Sequence, residues 1–97
     1  MTIAQVKAAN KSAGNYFFEP STMKFFGSRI ESSVYKNNTF ITSEWTDFER
    51  RNRAYTVRVF NESNGSVTTA NFPNGESTFN KFRTIDAARD FCKSYQN

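Results

Sequence analysis

The chain contains no leucine, and this absence restricts how it can build a hydrophobic core. Leucine is among the residues most often buried in small domains. Here 11 phenylalanines and 4 tyrosines take its place, and most other apolar side chains are Ile, Val or Ala. A content of 16% aromatic residues is too high for a disordered segment, and 97 residues is the length of one domain. We therefore expect a single aromatic-rich domain that spans residues 1–97.

The residues that the sequence lacks exclude several classes of function. No histidine is present, which rules out a His general base, a Ser-His-Asp triad and a zinc site with His ligands. The single cysteine, Cys92, cannot form an intrachain disulfide, as is typical of a reducing cytosol. No stretch approaches the ~18 apolar residues of a membrane span, and the first residues lack the pattern of a signal peptide. We therefore expect a cytoplasmic protein with no membrane partner.

Three segments have the spacing and end signals of helices. Thr2 and Gln5 have the spacing of a capping box at the start of a first helix. Pro20 is placed to begin a short second helix that Gly27 would end. Thr84 is placed to cap a C-terminal amphipathic helix. The apolar stripe of that last helix consists of Ile85, Ala88, Phe91, Cys92 and Tyr95.

The middle of the chain has the composition of an antiparallel sheet. Residues 40–45, 55–60 and 66–72 are rich in β-branched and aromatic side chains and are predicted as three strands. Asn64-Gly65 is expected to form a tight hairpin turn with two positive φ angles. Residues 79–82 are either a short extra strand or a loop. The prediction is an α+β fold with two N-terminal helices, a three-stranded antiparallel sheet and a C-terminal amphipathic helix.

No group of residues has the pattern of a catalytic or metal site. Asp86 and Asp90 share one helical face, but Arg89 and Lys93 are interleaved with them, which favours a solvated salt-bridge face. Cys92 lies inside the apolar stripe, where a buried inert thiol is expected rather than a nucleophile. No glycine-rich phosphate loop occurs. We therefore expect a protein that is not an enzyme and that uses no cofactor and no metal ion.

The charge of the chain favours acidic partners. Thirteen basic and nine acidic residues give a net charge of +4. The one basic cluster contains Arg50, Arg51 and Arg53, and it is diluted by Asp47 and Glu49. Two interpretations stay open for this segment. It is either a solvated loop or a contact region for phosphates or an acidic protein.

The predicted sheet provides a second candidate surface. Alternation places Thr56, Arg58 and Phe60 on one face of the middle strand. On an open sheet these side chains could stack on bases and bind phosphates, or form a protein-binding patch. Alternatively, the N-terminal helices cover this face, and Trp45 belongs either to the core or to the rim. The expected contact surface consists of Trp45, Arg50, Arg51, Arg53 and Arg58.

Several segments, taken in order, carry a resemblance to a protein family. They are residues 9–14, 17–26, 28–30, 40–44 and 55–58, then the glycine turn and the Phe82-Arg83-Thr84…Ala87-Ala88 stretch. Together they resemble a family of short accessory proteins encoded by tailed phages and related mobile elements. The resemblance implies a protein that acts in the cytoplasm of an infected bacterium. It implies no particular activity, since no catalytic or binding residues are assigned to the family.

The last forty or so residues carry a second similarity. Phe82, Thr84 and Ala88 follow the predicted strands in the pattern F-x-T-x-x-x-A. This arrangement is similar to AP2-type and integrase arm-type DNA-binding modules, and the order of helix, strands and helix also resembles a double-stranded-RNA-binding domain. The similarity to the AP2-type and integrase arm-type modules implies that basic and aromatic sheet residues, here Arg58, would enter the major groove of DNA.

Two functions follow as expectations. The first is a non-enzymatic phage-encoded protein that binds and inhibits a host protein or nucleoprotein complex, such as a bacterial defence system in the manner of an anti-CRISPR protein. The second is a small nucleic-acid-binding regulator that uses the sheet face and the basic loop. Affinity should fall steeply with salt only for the second, because each neutralised phosphate releases counterions.

Overall fold

The computed structural model describes residues 1–45, 52–70 and 81–95, which form an α+β fold. Antiparallel strands pair in the order β1-β2-β3-β4, and β5 pairs with β3 as well. The elements are α1 (Ile3–Ser12), α2 (Pro20–Phe26), β1 (Arg29–Ile30), β2 (Thr39–Trp45), β3 (Arg53–Phe60), β4 (Val67–Thr69), β5 (Lys81–Phe82) and α3 (Ile85–Ser94). The predicted fold class is therefore confirmed.

The helices begin and end where the sequence signals predicted. The Thr2 amide donates to Gln5 Oε1 over 2.8 Å and the Gln5 amide donates to Thr2 Oγ1 over 3.2 Å, which completes the capping box. Pro20 is the first residue of α2, and Gly27 ends that helix with a φ of 63°. Thr84 caps α3 through its hydroxyl group. In the described part of the chain, no helix is long and apolar enough to cross a membrane.

The sheet has more strands than the three that the sequence predicted. The three predicted strands correspond to β2, β3 and β4, although β4 is short and residues 71–72 lie outside the described residues. Segment 79–82, left open between strand and loop, contains β5 at its end. The additional strand β1 pairs Arg29 with Ser43 and Ile30 with Thr42. A strand of two residues is too short to show an alternating pattern, so no periodicity indicated it.

The turn between β3 and β4 differs from the predicted tight hairpin. The Asn61 amide donates to the Ser66 carbonyl and the Gly65 amide donates to the Asn61 carbonyl, so the turn spans more than two residues. Gly65 has a φ of 71°, whereas Asn64 does not have a positive φ; the prediction of two positive angles was wrong. The turn packs against α1, where Asn10 Nδ2 donates to the Gly65 carbonyl over 2.8 Å. This long-range contact selects the wider turn.

One face of the sheet packs against α3. The buried core on this side includes Ile41 and Val57 from the sheet and Ala88 and Cys92 from α3. Partly buried rings, among them Phe91, pack around these four residues. The predicted apolar stripe of the last helix is therefore confirmed.

The opposite face of the sheet is covered as well. Val6 of α1 forms a buried cluster with Phe40 and Phe60, and Phe17 and Phe18 pack against that cluster. The Phe18 and Phe40 rings are stacked with centroids 6.0 Å apart. Of the interpretations left open for this face, coverage by the N-terminal part of the chain is the one that the structure shows. The expectation of an open face for base stacking is wrong here, because Phe60 is only 2% exposed.

Candidate functional site

The expected contact residues Trp45 and Arg53 lie together at one end of the β2–β3 hairpin. They are the last paired residues of the two strands. The guanidinium carbon of Arg53 lies 4.5 Å from the centroid of the Trp45 ring, which is a cation–π geometry. Both side chains are half-buried, so the pair belongs to the rim of the domain rather than to its core.

Hydrogen bonds hold Arg53 in one orientation. Its Nε donates to Ser43 Oγ over 2.9 Å, and its Nη2 donates to the carbonyl oxygens of Ser43 and Gly27. Ser43 Oγ in turn donates to Glu31 Oε1 over 2.7 Å. Nη1 of Arg53 is buried and has no hydrogen-bond partner in the described residues. The arginine is therefore positioned mainly by carbonyl and hydroxyl oxygens.

Gly27 provides the space that the Trp45 ring occupies. A Cβ atom at position 27 would clash with the Cδ1 and Nε1 atoms of the indole ring. The same residue has the left-handed conformation that ends α2, which a residue with a side chain rarely adopts. Position 27 therefore requires glycine for two reasons, the space taken by the Trp45 ring and the left-handed conformation at the end of α2.

Two further expected contact residues, Arg50 and Arg51, lie in segment 46–51, outside the described residues. The register of the hairpin nevertheless fixes where this segment is attached. It follows Trp45 directly and rejoins the described chain at Asn52, one residue before Arg53. The segment therefore begins and ends beside the Trp45–Arg53 pair.

The fifth expected residue, Arg58, lies on the other face of the sheet. Arg53 and Arg58 are five positions apart on β3, and an odd separation along a strand directs side chains to opposite faces. Arg58 Nη2 forms an ion pair with Glu44 Oε1 at 2.8 Å, and these side chains are 19% and 15% exposed. The structure thus does not bring Arg58 together with Trp45 and Arg53 on one surface.

Arg58 and Glu44 belong to a network of hydroxyl groups on this face. Arg58 Nε donates to Thr42 Oγ1 over 3.1 Å and its Nη1 donates to Thr69 Oγ1 over 2.9 Å. Glu44 accepts from Thr42 at Oε1 over 2.9 Å and from Thr56 at Oε2 over 3.1 Å. We name these five residues, Thr42, Glu44, Thr56, Arg58 and Thr69, the polar network.

Sequence analysis missed Glu44 as a candidate, although its pattern contained a signal. Thr42 and Glu44 alternate on β2, as Thr56 and Arg58 do on β3. Thr42 is directly opposite Thr56 in the register, so the four side chains share a face. On both strands the polar residues alternate along the face that also carries a phenylalanine, Phe40 on β2 and Phe60 on β3. This pattern could have indicated the site.

A cavity of about 250 Å³ lies between the polar network and the N-terminal part of the chain. The guanidinium carbon of Arg58 is 5.3 Å from the centroid of the Phe17 ring at this position. The helix α2 and the residues after it supply the remaining wall. The cavity is lined by Phe17, Thr22, Met23, Ser28, Glu44 and Arg58.

Potential metal ligands are dispersed over the described part of the chain. Within residues 1–45, 52–70 and 81–95, no three His, Cys, Asp or Glu side chains cluster closely enough to hold a metal ion. Cys92 is buried, as predicted. Burial raises the pKa of its thiol above the ordinary value of 9.0, and a hydrogen bond with the Thr39 side chain opposes that shift. The thiol is therefore protonated at neutral pH.

The fold and these sites describe a small α+β domain whose sheet is covered on both faces. Residues 2–93 match the model of a family of unknown function, DUF7447. Since the match spans nearly all of the chain, the protein belongs to this family. No curated protein and no solved structure matches the chain.

Proposed function

We propose that the protein is a non-enzymatic binding protein of phage or mobile-element origin that inhibits a macromolecule of its bacterial host. The proposed target is a protein or nucleoprotein complex of a bacterial defence system, bound in the host cytoplasm in the manner of an anti-CRISPR protein. The observation that carries the proposal is the Trp45–Arg53 pair at the end of the β2–β3 hairpin. Tryptophan and arginine dominate the binding energy of many protein interfaces.

The way in which Arg53 is held supports a role in binding. Its bonds to Ser43 and Gly27 fix the guanidinium group before any partner arrives. A side chain that is already ordered loses little conformational entropy on association, so more of its contact energy appears as affinity. The half-buried Trp45 ring offers an apolar surface beside this fixed charge.

The charge at this end of the hairpin supports an acidic partner. Arg50 and Arg51 occupy the segment that joins Trp45 to Arg53, where Asp47 and Glu49 leave a surplus of one positive charge when Arg53 is included, and the whole chain carries a net charge of +4. Basic groups next to an aromatic anchor steer an acidic partner to the site and fix its orientation. Acidic protein surfaces and the nucleic acid of a nucleoprotein complex both present such charge.

The proposal is tested by capture from host-cell lysate, with and without nuclease, followed by mass spectrometry. The test variant replaces Arg50→Glu and Arg51→Glu together, and the matched control replaces Lys7→Glu and Lys11→Glu on the exposed side of α1. Both variants change the net charge by the same amount. We expect one dominant protein that survives nuclease treatment, is lost with the hairpin variant and is retained with the α1 variant. Equal capture by all three proteins would contradict the proposal.

Nucleic-acid binding is the second candidate, favoured by Lys7 and Lys11, which are exposed on the same side of α1. Since the N-terminal part of the chain covers Phe40 and Phe60, contacts to the nucleic-acid backbone would depend on α1 and on the segment with Arg50 and Arg51. It predicts that both charge reversals weaken binding and that nuclease removes the captured proteins. Affinity for DNA or RNA should also fall steeply with salt. A plot of the logarithm of the binding constant against the logarithm of the salt concentration should have a slope of roughly −0.7 to −0.9 per phosphate contacted. Binding that is insensitive to salt would exclude it.

A further inference from the structure

The polar network occupies a part of the sheet where packing alone would favour apolar side chains. On the same face, Phe40 and Phe60 form an apolar cluster with α1, and Thr42 and Thr56 next to them are as well buried as those rings. A largely buried ion pair contributes little to stability, because the desolvation cost offsets the attraction between the charges. Buried polar groups that packing does not explain are expected at functional sites.

Both charged members of the network line the cavity and retain capacity for further hydrogen bonds. The guanidinium group of Arg58 has five N–H donors, and three of them are engaged by Thr42, Thr69 and Glu44. Glu44 Oε2 accepts one bond, from Thr56, although a carboxylate oxygen can accept two. The floor of the cavity therefore presents donors next to an acceptor.

The walls of the cavity favour a flat apolar body. Phe17 provides an aromatic ring beside Arg58, and Met23 provides a polarizable thioether. Aromatic rings and sulfur atoms both make favourable contacts with the face of a planar ring. At about 250 Å³ the cavity lies below the ~300–1,000 Å³ of sites for drug-sized ligands, so its ligand is small.

We propose that this cavity binds a single pyrimidine or purine base through the donor–acceptor edge of that base. A carbonyl oxygen on the edge of the base can accept a hydrogen bond from Arg58, and the adjacent ring N–H can donate to Glu44. The face of the base can pack against Phe17 and Met23. The Glu44 carboxylate disfavours a phosphate group at the same position, which selects the base rather than the backbone. This chemistry is common to a free nucleoside and to an unpaired base of a single strand. The site is independent of the Trp45–Arg53 surface.

The two methionines of the chain allow a direct test by nuclear magnetic resonance with labelled methionine methyl groups. Met23 lines the cavity, whereas Met1 is exposed at the N-terminus and serves as an internal reference. The full chain is titrated with uridine, cytidine, adenosine and guanosine, and separately with short single-stranded and duplex oligonucleotides. We expect a saturable shift of the Met23 signal, and none of Met1, with at least one nucleoside or single strand.

The controls separate base recognition from general effects. Thr22→Leu should fill the cavity and abolish the Met23 shift, whereas Ser21→Leu, its exposed neighbour on α2, should leave the shift unchanged. Methylation of the ligand at the hydrogen-bonding edge, as in 3-methyluridine compared with 5-methyluridine, should weaken binding roughly tenfold to a hundredfold. A shift with nucleosides identifies a free ligand, and a shift with single strands alone identifies an unpaired base. No saturable shift with any probe, or binding that Thr22→Leu leaves intact, would overturn the proposal.

Discussion

The two faces of the sheet differ in how they use their side chains. The face under α3 is apolar at Ile41 and Val57 and carries the buried hydroxyl groups of Thr39 and Ser43 on either side of Ile41. The opposite face begins in the same way, with Phe40 and Phe60, and then changes to the polar network. Since one sheet carries both faces, backbone pairing does not explain the difference. The difference lies in the largely buried Glu44–Arg58 ion pair that lines a cavity on the second face, and the proposed recognition site rests on that feature.

The largest expected effect lies in the aromatic cluster of the mixed face. Phe40 is fully buried, so Phe40→Ala should lower the free energy of unfolding by about 3–5 kcal/mol. Phe91, in the apolar stripe of α3, is the matching aromatic position on the α3 face. In the structure Phe91 is only partly buried, so Phe91→Ala should cost less than Phe40→Ala. Denaturant unfolding of both variants measures the difference. An equal loss of unfolding free energy in the two variants would contradict the inference that Phe40 contributes more to the core than Phe91 does.

The next effect distinguishes a ligand site from a structural ion pair. Glu44→Ala leaves the Arg58 guanidinium largely buried without its carboxylate and should cost about 3 kcal/mol. Replacing both partners, Glu44→Met with Arg58→Met, should recover part of that loss, because no buried charge is left unpaired, although the threonine hydroxyl groups of the network lose their charged partners.

Thermal and denaturant unfolding of the single and double variants test this comparison. The double variant should also lose the Met23 response to nucleosides, while it keeps the fold. If the double variant is as unstable as Glu44→Ala, the ion pair is required for stability, and the two faces differ less in role than we infer.

A smaller effect concerns the attachment of α3 to the apolar face. Asn37 Nδ2 donates to the carbonyl oxygens of Cys92 and Tyr95 over 2.7 and 2.8 Å, at the C-terminal end of the helix. Asn37→Ala should cost about 1–2 kcal/mol, because two carbonyl groups lose a donor. Asn37→Asp should be similarly destabilising, since a carboxylate has no donor at neutral pH. Faster amide hydrogen exchange in the last turn of α3 is the measurement, and unchanged exchange in both variants would contradict the role of Asn37.

Local signals explain why much of the fold could be predicted. Thr2, Pro20, Gly27 and Thr84 act within one helical turn of their own position, so the helix ends follow from the sequence. The strand composition likewise identified β2 and β3. The turn at Gly65 was predicted with the wrong geometry because its contact partner, Asn10, is distant in the sequence.

The candidate sites were harder to predict, for two physical reasons. Arg53 and Arg58 were grouped by charge, although their odd separation on one strand already places them on opposite faces. The cavity depends on how Met23 and Phe17 are positioned over β2 and β3, and no local pattern encodes that arrangement. Glu44 becomes a candidate only when both strands are considered in register.

The smallest expected effect is the pH dependence of the apolar face. Burial raises the pKa of Cys92 above 9.0, so the folded chain retains a proton that the unfolded chain releases. The contribution to stability is complete below pH 9.0 and is lost as the pH rises through the folded pKa, by at most about 1.4 kcal/mol per pH unit. The stability difference between the natural chain and Cys92→Ala should therefore shrink as the pH rises from 9.0 through the folded pKa. A constant stability difference across that range would mean that burial by α3 does not keep the thiol protonated. Cys92 would then be more accessible to solvent than the packing of α3 indicates.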